Sequence, residues 1–320
     1  MTAVTIDIAG GQLGGAARYS AEVLDYLQRS ARDDVKVIGL RRRLTPAWLA
    51  VREAAAVRRS RRVALNNVGF FTPGGERWTL MANPLHFLTS AEMAAQAPAI
   101  RAAMSRQIPV VYRAARQSDV LVAPCTAMAE RIRATLPDVA DRVIARLHPV
   151  SASAMRRRPD RSRILCPILF APYKEMPSRL AEWVAAVDGS LDQSVRMIVT
   201  ATPDEVPPSL AASPRIELVG RLDLATLSNL WASSQAIYFP SGIESFGYPL
   251  AEARVNGQPV IAQDTPQNRE IGGPSLCGYT VGDPDSLRRA TETALSLTLE
   301  PDPGPFDPNA YFDWLLGKRA

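Results

Sequence analysis

Residues 238–252 read Tyr238-Phe-Pro-Ser-Gly-Ile-Glu244-Ser-Phe-Gly247-Tyr-Pro-Leu-Ala-Glu252. The apolar residues before Pro240 predict a buried strand that ends at Phe239. A Pro-Ser-Gly turn and a glycine-containing loop follow, and Pro249 suits the first turn of a helix. Such a helix start leaves backbone N–H groups unpaired at the positive end of the helix dipole. The stretch therefore predicts a strand–loop–helix unit that can hold a phosphate.

Two glutamates accompany this predicted phosphate site. Glu244 lies on the loop and Glu252 about one turn inside the helix. Both can point toward the strand ends, where open α/β sheets bind their ligands. Since a carboxylate would repel a phosphate that it met directly, the two are better suited to accept hydrogen bonds from hydroxyls. We expect one to bind a ribose and the other a transferred sugar.

Strands and helices alternate on both sides of a basic break at 155–163, which indicates two domains with parallel sheets. We predict an N-terminal Rossmann-like domain over 1–155 and a linker over 156–163. A C-terminal Rossmann-like domain is predicted over 164–300, followed by a proline-rich stretch and a docked helix over 301–320. The predicted strands are, in the first half, Val4–Ala9, Val35–Leu40, Trp78–Met81 and Val120–Ala123, and in the second, Ile164–Phe170, Arg196–Thr200, Ile216–Val219, Ala236–Phe239 and Pro259–Ala262.

The composition is that of a globular protein, with 320 residues of which 47% are hydrophobic and 22% charged. The apolar runs are too short to span a bilayer, and the first residues do not resemble a signal peptide, so we expect a cytoplasmic protein. Cys125, Cys166 and Cys277 are widely separated and are predicted to be reduced structural thiols. With only two histidines, a metal site built from histidine and cysteine is not expected.

The formal net charge of +5 is unevenly distributed along the chain. Eight arginines fall between positions 41 and 62, around a segment at 44–51 that could form one amphipathic helix. One interpretation is a solvated basic face. The other is an anionic partner, either a phosphorylated acceptor or a membrane surface contacted peripherally at the inner face. No nucleic-acid-binding motif accompanies the cluster, so nucleic acid is not expected as a partner.

The region from Val219 to Gly273 resembles the donor-binding core of the retaining glycosyltransferases of family 4. The shared features are Glu244 and Glu252 in an E-x7-E motif, Val219-Gly-Arg-Leu before it, and Glu270-Ile-Gly-Gly after it. The resemblance implies the GT-B fold, which is two facing Rossmann-like domains with a deep cleft. It implies transfer of a hexose-type sugar from a nucleotide-diphosphate sugar to an acceptor hydroxyl, with retention at the anomeric carbon. The acceptor would be a polysaccharide, a glycolipid or a natural product.

The resemblance also assigns roles to residues of the C-terminal half. Glu252 would hold the ribose hydroxyls, and Glu244 would lie beside the donor sugar. The backbone of the segment Phe246, Gly247 and Tyr248 would face the distal phosphate and the sugar. Lys174, after the first strand of the second domain, would stabilise the departing diphosphate. The arginine that usually precedes this lysine is replaced by Leu169.

In the N-terminal half, Gly10-Gly-Gln-Leu-Gly14-Gly15-Ala-Ala-Arg18-Tyr19 resembles the family's glycine loop. Gly14 and Gly15 would face the donor phosphate, and the segment Gly15, Arg18 and Tyr19 would face the acceptor. His86 is the candidate for the histidine that relatives place beside the reacting sugar, whereas we interpret His148 as structural.

No metal or other cofactor is expected, because the one evident D-x-D sequence, Asp283–Asp285, precedes a late helix rather than following a mid-domain strand. Three alternatives stay open at this level. They are a donor-splitting enzyme on the same scaffold, a non-catalytic nucleotide-sugar-binding protein, and a nicotinamide-dependent oxidoreductase. The glycine spacing differs from the dinucleotide fingerprint and disfavours the last one.

Overall fold

The computed structural model describes residues 4–10, 14–57, 59–152, 157–167 and 170–317. The chain divides into two compact units. We call them the first unit, formed by Met1–Pro149, Glu244–Phe246 and Phe306–Ala320, and the second unit, formed by Val150–Ile243 and Gly247–Pro305. The short segment Glu244–Phe246 of the E-x7-E loop therefore belongs to the first unit.

The first unit contains a six-stranded parallel sheet in the order β2-β1-β3-β4-β5-β6. Its strands are β1 Val4–Asp7, β2 Val35–Ile38, β3 Arg61–Ala64, β4 Arg77–Leu80, β5 Val120–Ala123 and β6 Val143–Ala145. Its helices are α1 Gly14–Ser30, α2 Pro46–Ala55, α3 Ser90–Ala94, α4 Pro98–Gln117 and α5 Thr126–Thr135, with α12 Pro308–Leu316 from the end of the chain. The strand order reverses between β1 and β3, and this point is where doubly wound sheets bind ligands.

The second unit contains another six-stranded parallel sheet, in the order β9-β8-β7-β10-β11-β12. Its strands are β7 Asp160–Cys166, β8 Arg196–Val199, β9 Ile216–Leu218, β10 Ser234–Phe239, β11 Val260–Gln263 and β12 Leu276–Tyr279. Its helices are α6 Met176–Val187, α7 Pro208–Ala211, α8 Leu224–Ser233, α9 Tyr248–Val255, α10 Pro266–Gly272 and α11 Pro284–Ser296. This is the Rossmann order 3-2-1-4-5-6, with its switch point between β7 and β10.

The predicted fold class, α/β with two Rossmann-like units, is confirmed by these two sheets. Three strands were not predicted, and each has a physical reason. Strand β3 begins with Arg61 and Arg62, and the charge run around it favoured a solvated segment. Strand β6 is only three residues long, and β12 contains Gly278, a poor strand former.

Strand β7 begins at Asp160, so residues 160–163 lie in the sheet and not in a linker as expected. The first half of β7 is largely exposed and only its last three residues, Ile164–Cys166, are buried. Its polar start explains why the sequence favoured a later boundary. Ile168 and Leu169 of the predicted strand lie outside the described residues.

The last helix packs within the first unit. On α12, Tyr311, Phe312, Leu315 and Leu316 are buried. The Phe312 ring lies 5.1 Å from that of Tyr26 on α1, and the Trp314 ring lies 5.0 Å from that of Trp78 on β4.

Candidate functional site

The loop after β10 reaches its helix through a glycine that no other residue could replace without strain. Gly247 has φ 86°, in the left-handed region, and is the N-cap of α9. A Cβ atom built on it would lie 3.0 Å from Leu250 Cδ1 and 3.1 Å from Phe239 Cε1. No side chain caps the first turn of α9, in which Pro249 has no N–H and the Leu250 amide donates to the Gly247 carbonyl at 2.9 Å. What this turn offers an anion is the positive end of the helix dipole.

Lys174 lies at the same edge of the second unit's sheet. It ends a short 3₁₀ helix, Pro172–Lys174, which follows β7. Strands β7 and β10 pair directly, with Leu165 opposite Ile237. Lys174 is half-buried, and its positive charge opposes the strong rise in pKa that burial imposes on the thiol of Cys166, the last residue of β7. The switch point of this sheet therefore carries a lysine after one strand and a helix N-terminus after the other.

Glu252 lies one turn into α9, half-buried, and its backbone carbonyl accepts a hydrogen bond of 2.7 Å from the Asn256 side chain. Tyr248, one turn before it, is 8% exposed. On a helix, positions four apart share a face, so Glu252 and Tyr248 lie on one side of α9. The Glu252 side chain is thus carried by the helix that begins after Gly247.

Glu244 and Phe246 are placed in the first unit. Phe246 is 2% exposed and its ring lies 5.1 Å from that of His148 and 6.2 Å from that of Phe306. The thiol of Cys125 donates to the Ser245 carbonyl at 3.2 Å. Glu244, half-buried, is held just before these anchors. The side chain of Phe246 is thus a packing element, while the predicted role of its backbone beside the donor stays a prediction.

His86 lies in a short 3₁₀ helix, Pro84–Phe87, after β4 and is 4% exposed. Its Nε2 atom is 3.1 Å from Gln107 Oε1 and 3.3 Å from Asn83 Nδ2, so the tautomer decides which contact is the hydrogen bond. Burial lowers the pKa of the imidazole, and the bond to Gln107 opposes that shift. His86 is therefore a neutral, side-chain-anchored histidine, and its contact with a sugar stays a prediction.

The glycine loop is described only at its two ends, because residues 11–13 lie outside the described ranges. Gly10 has φ 124°, and Gly14 and Gly15 are exposed at the start of α1. Arg18 is half-buried. Tyr19 is 4% exposed and its hydroxyl donates to that of Tyr311 at 3.2 Å, so it packs in the core of the first unit. The roles of this loop toward donor and acceptor stay predictions.

Ser241 is a residue of the second unit that the sequence reasoning did not select. It follows the end of β10, is 3% exposed, and its hydroxyl has no hydrogen-bond partner within the described residues. A buried polar group without a partner costs free energy, so a ligand or a water molecule that bonded to this hydroxyl would be favoured. Its position inside the 238–252 stretch is the signal that could have found it.

The arginines between 41 and 62 do not form one basic surface. Arg52 is fully buried and donates to Asp7 at 2.8 Å, and Arg62 is 3% exposed and donates to Thr72 at 3.0 Å. Arg61 pairs with Glu76. The exposed members within the described residues are Arg41, Arg42, Arg43 and Arg59. Arg58 lies outside the described residues.

The D-x-D residues serve a local structural purpose. Asp283 caps α11 by accepting from the Ser286 amide at 2.9 Å, and Asp285 pairs with Arg288. Within the described part of the chain, no group of three or more histidine, cysteine, aspartate or glutamate side chains could hold a metal ion. Among the same residues no helix is long and apolar enough to cross a bilayer.

The second half of the chain matches a known protein family. The family model described as glycosyl transferases group 1 matches residues 165–296, less than half of the chain. The matched segment contains Lys174, Glu244 and Glu252. A curated relative, the serotype-specific mannosyltransferase WbdA of Escherichia coli, is 34% identical over 94 residues. That match covers 29% of this chain and 11% of WbdA, so the chain spans a small part of the relative's length.

Solved structures share the fold over nearly the whole chain. WaaG, a glycosyltransferase involved in lipopolysaccharide biosynthesis, has a TM-score of 0.67 at 14% identity, covering 98% of this chain and 100% of its own. Sucrose-phosphate synthase from Thermosynechococcus elongatus has a TM-score of 0.63 at 12% identity, with coverages of 98% and 94%. The galactosyltransferase WaaB has a TM-score of 0.59 at 12% identity, with 98% of both chains covered. These likenesses identify the fold as that of the GT-B class.

Proposed function

We propose that this protein is a glycosyltransferase that takes its sugar from a nucleotide-diphosphate sugar bound by the second unit. One observation carries the proposal. At the switch point of a 3-2-1-4-5-6 sheet, Lys174 follows β7, and the N-terminus of α9 follows the adjacent strand β10. A diphosphate is the ligand that both features favour, and the family match over 165–296 supports the same class.

The proposed roles follow from charge and position. The N-terminus of α9 and the ammonium of Lys174 would bind the diphosphate and stabilise the negative charge that develops on it as the sugar leaves. Glu252 would accept hydrogen bonds from the ribose, and Glu244 from the donor sugar. The hydroxyl of Ser241 is available for a ligand oxygen.

The reaction that we propose proceeds with retention. The bond between the anomeric carbon and the phosphate oxygen breaks, and the acceptor oxygen forms its bond to the same face. The acceptor proton passes to the departing phosphate oxygen, and nucleoside diphosphate is released. The positive charges of Lys174 and the helix start would serve in place of a metal ion, so we propose a metal-independent reaction.

The hexose nature of the sugar is part of the proposal. WbdA is named a mannosyltransferase and WaaB a galactosyltransferase, and both names denote hexose donors. The acceptor hydroxyl would belong to a glycan, a lipid-linked saccharide or a small molecule. Peripheral contact with the inner membrane face through the 41–62 region stays a prediction.

The test measures release of nucleoside diphosphate from a panel of UDP-, GDP-, dTDP- and ADP-hexoses, with and without a chelator. Lys174→Gln should lower turnover by about 10²–10³-fold, because it removes a charge aimed at the leaving group. Glu300→Ala, which changes an exposed glutamate of the second unit, should have no effect. Turnover that is lost in the chelator and restored by manganese would contradict the metal-independent reaction. A trapped covalent glycosyl–enzyme would contradict the same-face attack.

A further inference from the structure

The loop after β2 presents three consecutive arginines at the carboxyl edge of the first unit's sheet. Arg41, Arg42 and Arg43 are exposed, and within the described residues none of them has an ion pair. Open α/β sheets bind ligands at this edge. The loop follows β2, next to β1, and the strand order reverses on the other side of β1. The three charges therefore flank the position where this sheet is expected to bind a ligand.

The backbone of the arginine loop is fixed to the exit of β1. The Gly10 amide donates to the Arg42 carbonyl at 3.0 Å, and the Arg42 amide donates to the Gly39 carbonyl at 3.0 Å. A Cβ atom on Gly39, which has φ 80°, would lie 2.3 Å from Asp7 Oδ1. Arg41 has φ 56°, which is uncommon for a residue with a side chain and persists only where the surroundings impose it. The loop is thus a built feature and not a free surface turn.

Acids near the loop do not neutralise these arginines. Asp7, which lies beside Gly39 at the start of this loop, is fully buried and already accepts hydrogen bonds from Arg52 at 2.8 Å and Asn66 at 3.0 Å. Asp34 lies just before β2, at the opposite end of that strand from the arginines, and forms an ion pair with Arg32. Three positive charges are therefore left at one sheet edge without an ion-pair partner among the residues that the structure describes.

We propose that Arg41, Arg42 and Arg43 recognise a phosphate or carboxylate group on the acceptor, so that this enzyme glycosylates an anionic acceptor. The inference rests on the proposed function, since it specifies the second substrate of that reaction. The planar guanidinium group presents paired N–H donors that match both anions. The backbone hydrogen bond from Gly10 to Arg42 holds the arginine loop beside the first residue of the glycine loop.

An anionic membrane would need apolar area as well as charge. Leu40 is 56% exposed, but the adjacent helix α2 turns its tryptophan inward. Trp48 and Ala55 pack against the buried cluster of Ile38, Ala64 and Phe70. Val51 of α2 is also exposed, at 57%, but two aliphatic side chains are a small anchor, so the surroundings favour an anionic ligand over a lipid surface.

The experiment compares two triple variants of the whole protein. R41Q/R42Q/R43Q removes the loop charges. R59Q/R106Q/R113Q is the matched control, because it removes three charges from exposed arginines of the same unit that have no ion pair within the described residues. Pyrophosphate is titrated calorimetrically in the presence of the nucleoside diphosphate that stabilises the protein, which occupies the donor site.

We expect the wild type and the control to bind pyrophosphate equally, and the loop variant to bind at least about tenfold more weakly, because charge-assisted hydrogen bonds are lost. Equal weakening in both triples, or no binding to the wild type, would overturn the proposal. Sedimentation with phosphatidylglycerol vesicles that is lost in the loop variant, with pyrophosphate binding unchanged, would overturn it in favour of a membrane surface. The proposed function has a separate readout, because nucleotide stabilisation should be unchanged in the loop variant and its absence in the wild type would contradict that function instead.

Discussion

The ring of Phe246 lies 5.1 Å from the ring of His148, and both side chains are buried in the first unit. Phe246 directly precedes Gly247, the N-cap of α9, and lies two residues after Glu244. The aromatic contact therefore holds in place the part of the E-x7-E loop that contains Glu244. The ring of Tyr19 also lies against that of His148, at 4.8 Å.

Removing this anchor should destabilise the first unit and disturb the loop. Phe246→Ala is expected to lower the free energy of unfolding by about 3 kcal/mol or more, because a fully buried phenyl ring is lost and a cavity is left. Phe246→Leu should cost less. Urea unfolding monitored by circular dichroism measures both, and equal stability of wild type and Phe246→Ala would show that the ring is not a packing element.

His148 should make stability fall on acidification. Burial lowers its pKa to about 3, whereas the unfolded chain has a histidine pKa near 6.5. Between these values the unfolded state binds a proton that the folded state does not, so stability present above about pH 6.5 is lost as the pH falls toward 3. Between pH 7 and pH 5, His148 should lower the free energy of unfolding by about 2 kcal/mol.

The control for this prediction is His148→Phe, which keeps an aromatic ring in the cluster and removes the titrating group. Its free energy of unfolding should fall less than that of the wild type between pH 7 and pH 5. His86 also has a lowered pKa and is present in both proteins, so it does not enter the difference. Identical pH dependences would mean that His148 is accessible to protons.

The third prediction on stability concerns the buried ion pair between Arg52 and Asp7. Arg52→Met should lower the free energy of unfolding by about 3–5 kcal/mol, because it leaves the Asp7 carboxylate buried without its charge partner. The double variant Asp7→Asn with Arg52→Met should recover part of the loss. A double-mutant cycle measures this coupling, and purely additive losses would contradict it.

Gly247→Ala should impair both folding and nucleotide binding. The variant combines a left-handed φ with close contacts to Leu250 and Phe239. Gly189→Ala is the matched control, since Gly189 has φ 73° but nothing within 4 Å of the added Cβ, and therefore shows the backbone cost alone, about 1–2 kcal/mol. We expect Gly247→Ala to be less stable than the control and to lose stabilisation by nucleoside diphosphate, whereas equal behaviour of the two variants would be evidence against the close fit.

Much of this fold could be predicted because most of its strands have buried stretches that are largely apolar. Strand β10 is buried at every position, and its Ala-Ile-Tyr-Phe run is evident in the sequence. Strand β3 escaped prediction because Arg62 is buried in it, with Thr72 and the Phe70 ring as neighbours that no local pattern reveals. Local periodicity reports burial only where the side chains are apolar.

The candidate site, too, could be predicted only where it depends on residues that are adjacent in the sequence. The strand–loop–helix stretch and Lys174 could be placed because each depends on adjacent residues. Other features could not be predicted, because each depends on partners far away in the chain, such as Tyr311 for Tyr19. These features are the burial of Arg52, the burial of Tyr19 and the grouping of Glu244–Phe246 with the first unit. The eight arginines are the clearest case, because only tertiary partners separate the buried from the exposed ones.

The most direct test of the central claim is a thermal-shift screen of the wild type, Glu252→Ala and Glu300→Ala against UDP, GDP, dTDP, ADP and NAD. A ligand that binds only the folded state raises the melting temperature according to its affinity and concentration. We predict that one nucleoside diphosphate stabilises the wild type and Glu300→Ala but not Glu252→Ala. Stabilisation by NAD alone, or by none of the five, would contradict a nucleotide-sugar site in the second unit.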